Sequence, residues 1–154
     1  MAKHMRIFFA ADHAGYKLKE ALKKYVASLG HTVIDAGAFA FDKHDDYPDM
    51  IAPAVRAAVK TNGRAIVLGG SGVGECIVAN KIKGARGAMC FDAYTAKMSR
   101  VDNDANVLCL GGRTAAGKLP LARKIVRIWL GTKFSGAARH ERRLAQITKI
   151  ERSR

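Results

Sequence analysis

Arg64-Ala65-Ile66-Val67-Leu68-Gly69-Gly70-Ser71-Gly72-Val73-Gly74-Glu75 is the stretch whose reading decides the fold. Its apolar run carries no polar alternation, so it reads as a strand buried on both faces, the kind found inside a parallel sheet. Four glycines in the six residues 69–74 then turn the chain, and residues 73–81 resume at helical spacing. The same alternation continues on either side. Short apolar runs at 5–11, 32–35, 87–91 and 106–110 read as further strands, and 16–29, 48–60, 94–101 and 117–130 as helices between them. In the first helix Leu18, Leu22, Val26 and Leu29 share one face, and Gly30 stops it. A last basic stretch, 138–152, repeats Leu144, Ile147 and Ile150 as an apolar stripe. Strand and helix in alternation make βαβ units, which predicts an α/β fold with a five-stranded parallel sheet covered on both faces. No linker, low-complexity tract or internal repeat interrupts the pattern, so 1–154 reads as a single domain.

Composition narrows the class. An apolar content of 49% excludes wholesale disorder. The apolar run 7–11 is too short for a secretory signal and meets Asp12 and His13 at once. No apolar stretch approaches the roughly 20 residues that cross a bilayer, so no membrane partner is expected. Cys76, Cys90 and Cys109 are odd in number and lack CxxC spacing, which predicts reduced thiols, a cytoplasmic location and no metal site. The net charge of +14 favours polyanions and small phosphorylated ligands alike, and +9 of it falls in residues 118–154. Much of that excess reads as a solvated basic face. Trp129 and Met98 read as core.

Ligands of a parallel sheet bind beyond the carboxyl ends of its strands. Asp12-His13-Ala14-Gly15 follows the first strand, Gly69–Glu75 the third and Gly111-Gly112-Arg113 the fifth, while Asp102-Asn103-Asp104 precedes the fifth. The glycine loop fails two familiar tests. A Walker loop needs Lys-Ser or Lys-Thr after Gly74, and a dinucleotide fingerprint needs glycine at position 75; Glu75-Cys76 stands there. What remains is a set of loop amides with a carboxylate beside them. Aldose–ketose isomerisation needs that pairing: one base for the proton next to the carbonyl, and fixed donors for the oxygen that becomes negative. Glu75 could be the base and the amides of 70–74 the donors. Glu75 as a carboxylate that only stabilises a helix dipole is the alternative. Cys76, at the same helix start, reads as a small core residue or as a reactive thiol.

Taken together, Ala11–Gly15, Asp46-Tyr47-Pro48, Gly69–Glu75 with Ala79-Asn80-Lys81, Asn103–Asn106, Gly111-Gly112-Arg113 and Arg139-His140 resemble ribose-5-phosphate isomerase B and the broader family that includes the galactose-6-phosphate isomerase subunits. The similarity runs from about Arg6 to Ile150. It implies a Rossmann-like α/β/α sandwich, no metal or organic cofactor, and a homodimer, or a dimer of such dimers, with active sites at the subunit interface. The basic tail of about 136–154 would pack there. It also implies roles. Asp12 would contact the reacting sugar oxygens and His13 the phosphate; Tyr47 would line the sugar pocket. Gly70, Ser71, Gly72 and Gly74 would stabilise the enediolate, and Asn103 would bind sugar hydroxyls. Arg113, Arg139 and Arg143 would reach the phosphate, whose oxygens a guanidinium fork fits in pairs.

Two departures bear on mechanism. Many members of that family carry a cysteine base at the first loop position, which is Gly69 here; the resemblance is to the branch that uses a glutamate after the loop, Glu75. The family's ring-opening histidine is replaced by Asp102, which leaves ring opening to Asp102, to a neighbour such as His13, or to substrate that is already open. The expected activity is interconversion of D-ribose 5-phosphate and D-ribulose 5-phosphate in the pentose phosphate pathway. A hexose 6-phosphate is the alternative substrate. A phosphate-, nucleotide- or RNA-binding module is the alternative class, and nucleic-acid binding is not expected, because residues 135–154 hold no aromatic to interleave with their basic ones.

Overall fold

The computed structural model describes residues 3–154; Met1 and Ala2, with which the single-domain reading and the opening stretch begin, lie outside the described residues. Five strands, β1 (Arg6–Ala11), β2 (Thr32–Asp35), β3 (Arg64–Gly69), β4 (Gly87–Met89) and β5 (Val107–Gly111), alternate with α1 (His13–Ser28), α2 (Tyr47–Lys60), α3 (Val73–Ala79), α4 (Ala93–Val101) and α5 (Leu119–Gly131). Helix α6 (Ala138–Arg152) follows. Every pairing is parallel, in the order β2-β1-β3-β5-β4.

Period two sorts the strand residues between two cores. Ile7, Phe9, Ala11, Ile66 and Leu68 face α1, α4 and α5, where Leu18, Leu22, Val26, Ala96, Ile125 and Trp129 join them. Phe8, Ala10, Ala65, Val67 and Cys109 face α2 and α3, with Ile51, Val55 and Ala79. The result is the three-layer sandwich expected. Trp129 is fully buried, as its reading as core required, and Met98 is half-buried.

Boundaries differ from the periodicity where capping intervenes. Helix α1 starts three residues early because Asp12 caps it, its Oδ1 accepting from the N–H groups of Ala14 at 2.9 Å and Gly15 at 3.2 Å. Helix α5 begins at Leu119, with Pro120 in its first turn and a 3-10 turn, Ala115–Gly117, ahead of it. Strand β2 is half-buried rather than fully buried, as suits a sheet edge. Helix α6 covers as predicted, yet buries only His140.

The strand order positions the site. The chain leaves β1 toward β2 on one side, and β3 returns on β1's other side. This switch point opens a crevice beyond the carboxyl ends of β1 and β3, where bound molecules collect in open α/β sheets. Asp12 follows β1 there, and the glycine loop follows β3.

Candidate active site

Glu75 lies in the first turn of α3, with 3% of its surface exposed. Its side chain folds back under the end of β3: a Cβ placed on Gly69 would fall 2.5 Å from Oε2 and closer still to Cδ and Oε1. The carboxyl group therefore fills the space that a side chain at 69 would need. Burial pushes its proton affinity up, its own main-chain N–H opposes that, and the charge of Asp12 adds to the rise. A carboxylate so placed is a stronger base than a solvated one.

Above this group the loop presents donors. The main-chain N–H groups of Gly70, Ser71, Gly72 and Gly74 make no hydrogen bond among the described residues. Gly72 sits at φ +83°, the left-handed conformation that turns the loop into α3. Tyr47, at the start of α2, lies against the loop; a Cβ on Gly74 would meet its ring at 2.7 Å. Arg113 is held beside the loop by its N–H donating to the Gly70 carbonyl at 2.9 Å, and its side chain is exposed.

His13 is the first residue of α1. The carboxylate of Asp45 meets it twice, accepting the main-chain N–H at 3.1 Å and lying 2.7 Å from Nδ1. Asp46, quoted in the sequence with Tyr47 and Pro48, occupies the N-cap position of α2 without a side-chain capping bond. Asp45, its neighbour, escaped the sequence reading, because nothing distinguishes one carboxylate of a polar loop from another until the loop is folded. Asp12, His13 and Asp45 could hold a cation, since their donor atoms lie within 4.8 Å of one another; the cap at Asp12 and the His13–Asp45 contact already engage part of that set.

One chain therefore brings together Asp12, His13, Tyr47, the glycine loop, Glu75 and Arg113. The remaining candidates lie elsewhere. Asp102 caps the C-terminus of α4 and Asn103 follows it, both ahead of β5. The loop abuts the far end of β5, where Gly69 pairs with Gly111; a five-residue strand puts roughly 13 Å between the two places. Asp102 faces His140 Nε2 at 3.4 Å, and the Asn103 carbonyl accepts from Arg86 Nε at 3.1 Å. Arg139 and Arg143 are exposed on α6, and their side chains make no ion pair or hydrogen bond among the described residues.

Two other features are not absorbed into this arrangement. Cys76 is half-buried and lines a different hollow of about 420 Å³ with Val73, Ile77, Asn80 and Met89. A cavity of about 690 Å³ at the opposite end of the sheet is lined by Arg6, Arg64, Arg86 and Arg100. Those guanidinium groups donate to main-chain carbonyls, including Thr61, Trp129, Leu130 and Thr132 near helix C-termini. Capping is their evident task.

Comparison with known proteins finds relatives along nearly the whole chain. The family described as Ribose/Galactose Isomerase matches residues 7–147. The chain belongs to this family. Among its relatives, ribose-5-phosphate isomerase B of Mycobacterium tuberculosis is 42% identical over 150 residues, covering 97% of this chain and 91% of that protein. The Escherichia coli protein of the same name is 38% identical over 151 residues, covering 97% and 98%. Of the solved structures, ribose-5-phosphate isomerase B of Mycoplasma genitalium with bound ribulose-5-phosphate superposes with a TM-score of 0.93 at 35% identity, covering 98% of this chain and all of that one. The Clostridium thermocellum enzyme gives 0.92 at 40% identity, covering 97% and 99%. Membership in the ribose/galactose isomerase family makes the chain a sugar-phosphate isomerase by kinship, and the two superpositions cover 97% and 98% of its length.

Proposed function

We propose that the chain interconverts D-ribose 5-phosphate and D-ribulose 5-phosphate, with Glu75 moving the proton between C2 and C1. The observation that carries this reading is the Glu75 carboxyl, buried in the space that a side chain at 69 would fill, beside four unbonded loop amides. Proton abstraction from C2 of the open aldose leaves an enediolate, whose oxygen charge the N–H groups of Gly70, Ser71, Gly72 and Gly74 neutralise. Glu75 returns the proton to C1. Asp12 guides the hydroxyl proton, Tyr47 walls the sugar, and His13 with Arg113 takes the phosphate. The chemistry is proton transfer alone and calls for neither metal nor organic cofactor.

The same proposal includes a homodimer. Asp102, Asn103, Arg139 and Arg143 are the candidates that one chain leaves away from Glu75, and a second copy can supply them. Val73, Ile77, Phe91, Tyr94, Ile147 and Ile150 are exposed apolar residues on α3, α4, α6 and the segment leading into α4. Covering them is what a second copy would do. Three free thiols and the phosphorylated substrate fit a cytoplasmic enzyme of the pentose phosphate pathway.

An assay of the purified chain against ribose 5-phosphate and several hexose 6-phosphates tests the reading. Turnover of the pentose, with Glu75→Gln slower by at least about 100-fold and unchanged in circular dichroism, is the expected result. Near-parental activity in Glu75→Gln would remove Glu75 from this role.

A further inference from the structure

We infer that Asp45 is a positioning residue for His13: it holds the proton on Nδ1, so that the imidazole presents Nε2 to the substrate. This inference deepens the proposed function, and it rests on that reading only for the identity of the group that Nε2 meets.

The loop carrying Asp45 is anchored from beneath. Lys19 on α1 is fully buried; its Nζ binds both carboxylate oxygens of Asp35, at 2.7 and 2.9 Å, and the Ala38 carbonyl at 2.6 Å. Asp35 Oδ1 also accepts from the Gly37 N–H at 2.9 Å. The chain that leaves β2 is thereby fixed where it starts, and it delivers Asp45 to the first turn of α1. There Oδ1 takes both the main-chain N–H and Nδ1 of His13, so the ring is set relative to its own backbone. The Asp45 side chain is only 6% exposed, against 26% for His13, and its Oδ2 is buried without a hydrogen-bond partner among the described residues. Among the described residues its side chain is therefore engaged by His13 alone. Phe41 meets the same ring edge-on at 6.1 Å between centroids. An ionised carboxylate can only accept, so Nδ1 must donate, and the exposed Nε2 is left for the ligand. With Nδ1 occupied, Nε2 can donate to a phosphate oxygen when the ring is protonated and accept from a sugar hydroxyl when it is neutral.

The test uses the full-length protein with ¹⁵N-labelled histidine, in the parent and in Asp45→Ala, Asp45→Asn and His13→Ala. Long-range ¹H–¹⁵N spectra at alkaline pH should show the Nδ1–H tautomer of His13 in the parent and in Asp45→Asn, whose amide oxygen still accepts. Asp45→Ala should revert to Nε2–H, the form preferred by free histidine. In kinetics Asp45→Ala should raise KM for ribose 5-phosphate, and Ki for inorganic phosphate, by about tenfold, with kcat within about threefold. Asp45→Asn should recover most of this loss, and Asp45→Ala added to His13→Ala should cost nothing more. An Nε2–H tautomer in the parent, or full additivity in the double variant, would overturn the assignment. The spectra need no substrate, so a protein without isomerase activity but with the Nδ1–H tautomer would refute the proposed function and leave the role of Asp45 standing.

Discussion

Gly69→Ala is the sharpest probe of where the base sits. The new Cβ would stand 2.5 Å from Glu75 Oε2, with Cδ and Oε1 nearer still. Non-bonded heavy atoms settle at about 3.5 Å, so the carboxyl group must retreat by at least roughly 1 Å. Gly69 is the last residue of β3 and does not use the left-handed backbone reserved for glycine, so alanine fits the main chain there. What the substitution moves is the base. A displacement of about 1 Å in a reacting group costs on the order of 100-fold in rate. Isomerisation of ribose 5-phosphate should accordingly fall by about that factor in kcat, with KM little changed, because phosphate and hydroxyl contacts lie elsewhere. Gly131→Ala is the control: a Cβ there meets nothing within 4 Å, and rate and melting temperature should match the parent. Activity in Gly69→Ala within about threefold of the parent, in a protein that melts normally, would show that Glu75 does not act from the position described.

Other expectations follow from the same geometry. Burial and the charge of Asp12 raise the proton affinity of Glu75, so activity that needs the ionised form should fade, as pH drops, at a midpoint above the ordinary carboxylate range; Asp12→Asn should lower that midpoint, measured as log kcat/KM against pH. For stability the sign is reversed. Ionising a group whose folded-state proton affinity is raised destabilises the fold as pH climbs past its unfolded value, so Glu75→Gln should melt no lower than the parent at pH 8, and higher if the penalty is felt. Ile147→Asp with Ile150→Asp should leave a monomer in sedimentation and lose most activity; a dimeric double variant would sink the proposed interface. Asp102→Ala should slow substrates that are mostly cyclic more than those that are mostly open, and equal slowing would take Asp102 out of ring opening.

The sheet was legible because its signals are local. Unbroken apolar runs at 64–69 and 106–110, and the helical spacing of Leu18, Leu22 and Val26, each report their own element, and all five strands and six helices appear where those signals stand. The misplaced ends trace to interactions a periodicity scan does not weigh: the cap that Asp12 supplies to α1, and the edge position that shortens β4 to three residues. Strand order is not local. Nothing in the sequence states that β5 inserts between β3 and β4, although that insertion is what aligns Gly111 with Gly69.

The candidate site divides along the same line. Asp12, the glycine loop and Arg113 were found by one rule, that polar residues just after a parallel strand line the ligand crevice, and the folded chain does assemble them. Asp102 and Asn103 break that rule, since they precede β5, and the fold puts them at its other end. Asp45 was invisible because its partner, His13, is 32 residues away. The Gly69–Glu75 contact was half visible: a cysteine at the first position and a glutamate at the seventh looked like two alternative bases in one loop. The structure ties the two positions together. The Glu75 carboxyl occupies the volume of a side chain at 69, so in this chain a side chain at 69 has no room beside an inward Glu75. Gly69 is therefore as much a part of the proposed base as Glu75 is, through an absence of atoms that no inventory of reactive groups would record.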